Sequence, residues 1–160
     1  ATESKIVDAK GAKVLVVDDN DLNLKVASVL LKKYHFNIDT ANSGAECINK
    51  INKNNEYDII FMDHMMPKMN GRETLAKLKS NPDFKIPVIA LTANAITGMR
   101  QEYLNCGFND YLSKPIEKNE LERGIVWLKS KLQKKISEKK FWKAIFPYFL
   151  ISGQHGVHRV

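Results

Sequence analysis

Asp58-Ile59-Ile60-Phe61-Met62-Asp63 sets four apolar residues in a row between two acids. A strand with one wet face alternates polar and apolar residues. This run does not, so it reads as a strand covered on both sides. Working outward, Val14-Leu15-Val16-Val17 has the same character and runs into Asp18-Asp19. Ile86-Pro87-Val88-Ile89-Ala90-Leu91 repeats it, with Pro87 near the start, where a strand tolerates proline. Phe36 to Thr40 alternates like a strand, and Phe108 to Leu112 supplies a fifth. Helical periods fill the gaps. Leu22, Val26, Val29, Leu30 and Tyr34 recur at helical spacing and predict a first helix. Ser43 is an N-cap, with Glu46 completing a capping box for a helix running to about Lys53. A loop with Pro67 and Gly71 precedes a helix around Glu73 to Leu78. Ala95 to Asn105 reads as a helix closed by Gly107, and Glu117 opens a fifth. Five strands, each followed by a helix, predict an α/β domain: a doubly wound, five-stranded parallel sheet.

The chain has 160 residues, 44% of them hydrophobic, which suits one domain with a core and a little more. No run of about 18 apolar residues exists, so no helix is expected to span a bilayer. The first residues lack a charged and then apolar leader. Cys47 and Cys106 read as free thiols in a reducing, cytoplasmic compartment. The net charge of +7 invites a nucleic-acid reading, but its distribution argues otherwise. Residues 1–128 carry 17 basic and 17 acidic side chains, whereas residues 129–143 carry seven lysines and one glutamate. The chain is a neutral body with a basic tail, and no specific DNA binding is expected.

In doubly wound sheets, ligands bind beyond the carboxyl ends of the strands. The first strand ends in Asp18-Asp19, the third in Asp63 and the fourth in Thr92; Lys114-Pro115 follows the fifth. Paired acids without a neighbouring base suit a hard cation such as Mg²⁺, which takes one or two carboxylates and keeps several waters. A remaining carboxylate can act as a nucleophile and form an acyl phosphate. Lys114 offers a point charge to phosphate oxygens, and Thr92 a hydroxyl donor.

Four motifs carry a family resemblance: Val16-Val17-Asp18-Asp19-Asn20; Met62-Asp63-His64-Met65-Met66-Pro67-Lys68-Met69-Asn70-Gly71; Leu91-Thr92-Ala93; and Tyr111-Leu112-Ser113-Lys114-Pro115. In this order they resemble the response-regulator receiver family, from about Ala12 to Leu128, and most closely the receivers of hybrid sensor histidine kinases. The resemblance implies a flavodoxin-like (βα)5 receiver fold and a place in a two-component phosphorelay. Asp63 would take phosphate from the phosphohistidine of a histidine kinase or phosphotransfer domain. Asp18, Asp19, Asp63 and the backbone carbonyl of Met65 would hold Mg²⁺. Thr92, Ala93 and Lys114 would bind the phosphate, and the Lys114-Pro115 bond would be cis. Thr92 and Tyr111 would be the switch, biasing a surface made by the fourth helix, fifth strand and fifth helix. On phosphorylation, the Thr92 hydroxyl and the Lys114 ammonium would gain partners they lacked. Asn20 would stand behind the acids. The residues that influence phosphate lifetime in the family fall at Met65 and Asn94. Because methionine orients an attacking water poorly, self-dephosphorylation of this self-catalysed, non-enzymatic receiver is expected to be slow.

Plainer readings stand beside these. Thr92 could cap the fourth helix, Tyr111 could be an ordinary strand aromatic, and Asp18-Asp19 could be helix N-terminal charges. His64 is expected in the loop outside the site, and His35 on the surface at a helix end. His155 and His158 are weak evidence of metal binding. A haloacid-dehalogenase-like phosphatase or phosphotransferase would also use Asp63 as nucleophile, but wants an acid where Met65 stands. A flavin site wants a Ser/Thr/Gly-rich loop where Asp18 to Asp21 stand. Residues 1–11 read as a linker and 12–128 as the receiver. Residues 129–160 read as a helical extension and tail, with the stripe Leu121, Ile125, Leu128, Leu132 and Ile136 and an aromatic patch from Phe141 to Ile151. That extension, or the face of the fourth and fifth helices, is the candidate surface for pairing of two copies.

Overall fold

Strand β3 (Ile59–Asp63) lies at the centre of a five-stranded parallel sheet and is buried at every position. The computed structural model describes residues 7–93 and 99–134. The order of strands is β2 (Asn37–Ala41), β1 (Lys13–Val17), β3, β4 (Val88–Thr92), β5 (Asp110–Ser113). Between them run α1 (Asp21–Lys32), α2 (Gly44–Lys53), α3 (Gly71–Lys79) and α4 (Met99–Asn105), with a further helix, α5, over 118–134. The expected fold class stands, with boundaries moved by one or two residues at each strand. Pro87 lies just outside β4, where its carbonyl still accepts from the Ile60 amide at 3.0 Å. The expected first turn of α4, from Ala95, lies outside the described residues, as does Asn94.

Local chemistry fixes the helix starts. Asn20 caps α1 by accepting from the amides of Leu22 and Asn23, Ser43 caps α2 and Asn70 caps α3. The reciprocal half of the expected capping box is displaced. Glu46 accepts from the amide of Asn42 at 3.0 Å, one residue before the cap. Gly107 has φ +101 just after α4, the left-handed C′ position that glycine occupies without strain.

The helix α1 forms as expected, but its apolar spacing does not mark the face that meets the sheet. Leu24, Ala27 and Leu31 face the core, while Leu22, Val26 and Val29 are 67%, 59% and 63% exposed. Two apolar stripes share this helix. The one holding the small Ala27 packs against the sheet, and the bulkier stripe faces outward. Tyr34 is buried, and its hydroxyl donates to Glu122 of α5 at 3.0 Å.

The linker reading of residues 1–11 is also corrected at its end. Ala9 is buried, its amide donates to the Tyr34 carbonyl, and the Gly11 amide donates to that of His35. His35 is exposed at the end of α1, with φ 62, and sits 3.1 Å from Asp8.

The chain divides into two units, Ala1–Ile125 and Val126–Val160, a division inside α5 rather than after Leu128. In the first unit, Leu121 and Ile125 are buried. The second is described as helix to residue 134, with the Lys131 ammonium 4.4 Å above the Trp127 ring. The aromatic patch and the histidines His155 and His158 lie outside the described residues.

Candidate functional site

Strand register builds the site. Val17 is level with Met62, Asp63 with Leu91, and Thr92 with Ser113. The residues at or one step past these positions, Asp18, Asp63, Thr92 and Lys114, therefore form a row across the carboxyl edge of the sheet. Asp18, Asp63 and Thr92 are buried, and Asp19 is exposed. One carboxylate oxygen from each of Asp18, Asp19 and Asp63 lies within 4.8 Å of the others. Neighbouring backbone bonds hold the row: the Asp18 amide donates to Ala41, the His64 amide to Leu91 and the Lys114 amide to Thr92. Asn20 stands behind the acids. Its amide donates to Asp18 at 3.0 Å while its side chain caps α1.

Lys114 bridges two of the acids, 3.0 Å from Asp18 Oδ2 and 2.8 Å from Asp63 Oδ1. This corrects the expectation that the lysine lacks partners before phosphorylation, and Thr92 is not without one either. Burial pushes the Asp63 carboxyl above its ordinary range; the bond from Lys114 opposes this, and the charge of Asp18 adds to it. Burial alone would lower Lys114, but its bonds to Asp63 and Asp18 outweigh that and raise it. A single ammonium thus serves two carboxylates, and for Asp63 its attraction does not offset the cost of burial. Three carboxylates and one ammonium leave two negative charges uncompensated. An all-oxygen donor set with that surplus fits a hard divalent cation.

The remaining expected residues fall around this row. The Met65 side chain is 72% exposed, and its backbone amide reaches the Asp63 carboxylate. Ala93 is exposed directly after Thr92. The Lys114-Pro115 bond is cis. Thr92 ends β4, several residues before the described start of α4. Tyr111 is half-buried on β5. Its ring stacks on Tyr103 of α4 at 5.5 Å, a neighbour that sequence reasoning missed. His64 is outside the acid row, as expected, but its ring meets the edge of Tyr103 at 5.3 Å. Only the three-dimensional packing of α4 on β5 places Tyr103 there.

The chain matches the family model for the response regulator receiver domain over residues 14–125. It belongs to that family. It is 34% identical over 136 residues to Histidine kinase 3 of Arabidopsis thaliana, covering 72% of this chain and 13% of that protein. The chain thus spans about an eighth of such a relative. Among solved structures, it is similar to the receiver domain of a Pseudomonas aeruginosa sensor histidine kinase, which has a magnesium ion coordinated in its active site cleft. The identity there is 32% and the TM-score 0.65, covering 74% of this chain and 98% of that one. It is also similar to the receiver domain of Ssk1 from Saccharomyces cerevisiae, solved with the histidine phosphotransfer protein Ypd1. Here the identity is 28% and the TM-score 0.64, covering 72% and 87%. The comparisons give no support to the haloacid-dehalogenase-like alternative, and Met65 offers no acid where such an enzyme needs one.

Proposed function

We propose that Asp63 accepts a phosphoryl group from a phosphohistidine and that the row Asp18, Asp63, Thr92 and Lys114 catalyses the transfer itself. A carboxylate oxygen of Asp63 forms the P–O bond as the P–N bond breaks, and the electron pair returns to the imidazole. Asp18, Asp19, Asp63 and the Met65 carbonyl would hold Mg²⁺, which when bound supplies charge neutralisation to the phosphoryl oxygens. Lys114 leaves its bridge to pair with the phosphate, and the Thr92 hydroxyl with the Ala93 amide completes the cradle. The observation that carries this reading is the Lys114 bridge: a cation already resting on the proposed acceptor oxygen, 2.8 Å away.

The switch residues Thr92 and Tyr111 then bias the surface of α4, β5 and α5. Met65 is too exposed and too apolar to hold an attacking water, which supports a long-lived phosphate; a half-life of seconds in solution contradicts it. The free thiols Cys47 and Cys106 suit a cytoplasmic setting.

A histidine kinase or phosphotransfer domain is the proposed donor, and the outward stripe of α1 is its proposed seat. Leu22, Val26 and Val29, with Met65 beside the acceptor, present apolar surface that the core does not use. The test is intact-mass measurement after incubation with acetyl phosphate and Mg²⁺. A gain of one phosphoryl group in the wild type, absent in Asp63→Asn, is expected. No gain in the wild type refutes self-catalysed transfer.

A further inference from the structure

Tyr103 is 1% exposed, and its ring touches three others. Phe108 and His64 meet it edge-on, at 5.9 and 5.3 Å, and Tyr111 stacks on it with an interplanar angle of 27°. The three rings of His64, Tyr103 and Tyr111 thus form a column. It begins at the residue bonded to Asp63 and ends at the proposed switch tyrosine. The backbone at its His64 end is held on both sides. The His64 amide donates to Leu91 of β4, and the His64 carbonyl accepts from Gly71, so its main chain is anchored to the end of β3 while its ring is held by packing alone. Its middle is carried by α4, which is tied to α3 by Arg72 and Glu102 at 2.7 Å. Beside it, His64 Nδ1 and Arg72 Nε are buried without a hydrogen-bond partner among the described residues. A buried polar atom left unpaired is a cost that a rearrangement can relieve. The start of the column is therefore a place where a second packing is within reach.

We propose that Tyr103 is the positioning residue of the switch: its ring face seats Tyr111 in the resting state and links it through His64 to the acceptor loop. The proposal rests on the receiver reading above and deepens it. Among the described residues, Tyr103 is the one ring stacked on Tyr111. For Tyr111 to swing inward, that stack must open. Offset aromatic pairs of this kind bias an equilibrium by roughly 2- to 12-fold. Tyr103 holds the resting state by that factor, and removing its ring releases Tyr111 by the same factor without phosphate. The hydroxyl is not part of the argument, so phenylalanine suffices.

The test uses the full chain labelled with 3-fluorotyrosine, with the Tyr111 fluorine signal assigned by Tyr111→Phe. The signal is read before and after acetyl phosphate with Mg²⁺, alongside intact mass. In unphosphorylated Tyr103→Leu the Tyr111 signal is expected to move toward its position in the phosphorylated wild type, while Tyr103→Phe stays at the resting position. Tyr103→Met, ringless and flexible, replaces the leucine variant if that does not fold. An unmoved Tyr111 signal in the ringless variants overturns the proposal, as does an equal movement in Tyr103→Phe. A wild type that gains the phosphoryl mass with a still Tyr111 signal also overturns it. A wild type that gains no mass instead overturns the self-catalysed transfer on which the proposal rests.

Discussion

Gly71→Ala tests how tightly α3 is set against the acceptor. Gly71 opens α3 directly behind the end of β3, and its φ is not in the left-handed region, so the glycine is required for space rather than for backbone freedom. A Cβ there would lie 2.6 Å from the Asp63 carbonyl oxygen and 3.2 Å from the His64 Cα. Both are backbone atoms, and the first is about 0.8 Å short of ordinary contact. Overpacking of this kind costs about 1–3 kcal/mol. The lower entropy of the unfolded alanine chain offsets about 0.4–1 kcal/mol. A net loss centred on about 1.3 kcal/mol and reaching about 2.6 follows, which lowers the melting temperature by about 3–10 °C. If the acceptor strand takes up half of the shortfall, about 0.4 Å, a scale of about 100-fold per Å slows phosphorylation roughly sixfold. Thermal melting and the time course of phosphoryl mass gain from acetyl phosphate measure the two effects. An alanine variant that melts at or above the wild type and is phosphorylated at the wild-type rate refutes the reasoning.

Other outcomes follow from the same geometry. Asp63 has its carboxyl raised in the fold, so its ionised form weakens the fold once the pH rises above the ordinary carboxylate range. Asp63→Asn in EDTA should therefore melt above the wild type at neutral pH, with the difference shrinking as pH falls through the raised folded value and gone below the ordinary carboxylate range; Mg²⁺ should raise the wild type more than the variant. Asp39 behaves oppositely: burial raises it, but bonds from Lys50, Tyr57 and the Thr40 amide outweigh that and lower it. Its contribution is present above the carboxylate range and lost as pH falls through its folded value. Asp39→Asn should thus cost under about 1 kcal/mol at neutral pH, since the carboxylate is 42% exposed, and nothing in acid, as urea titrations at two pH values would show. Burial pushes the Cys47 thiol up to about 12, whereas Cys106 is half-buried. A thiol reagent at pH ~8 should label one cysteine in the native chain and two in denaturant, and rapid double labelling of the native chain refutes this.

The central strands were legible because β1, β3 and β4 are apolar on both faces, a pattern that few other structures produce. The site was legible because acids and a lysine ending such strands must share one edge. The orientation of α1 was not. Leu22-Val26-Val29 and Leu24-Ala27-Leu31 both have helical spacing, and a period alone does not say which stripe meets the sheet. Steric fit decides it, and the small Ala27 is the clue that was available. Tyr103 was invisible for a different reason. A buried aromatic at helical spacing looks like any core residue until β5 and α4 are placed side by side. Lys114 was recognised by position, but its resting bond to Asp63 depends on side-chain reach across two strands, which spacing does not encode.

An open sheet ends in two strands with unclaimed backbone, and here these are β2 and β5. Each carries an aspartate that turns back on its own strand. Asp39 accepts from the Thr40 amide and Asp110 from the Tyr111 amide, both at 2.9 Å. Each is also matched with a cation from an adjacent helix, Lys50 at 2.9 Å and Arg100 at 3.5 Å. A foreign strand adding to either edge would have to displace a carboxylate and bury an ion pair. The sheet is thereby guarded at both edges against fibril-like growth.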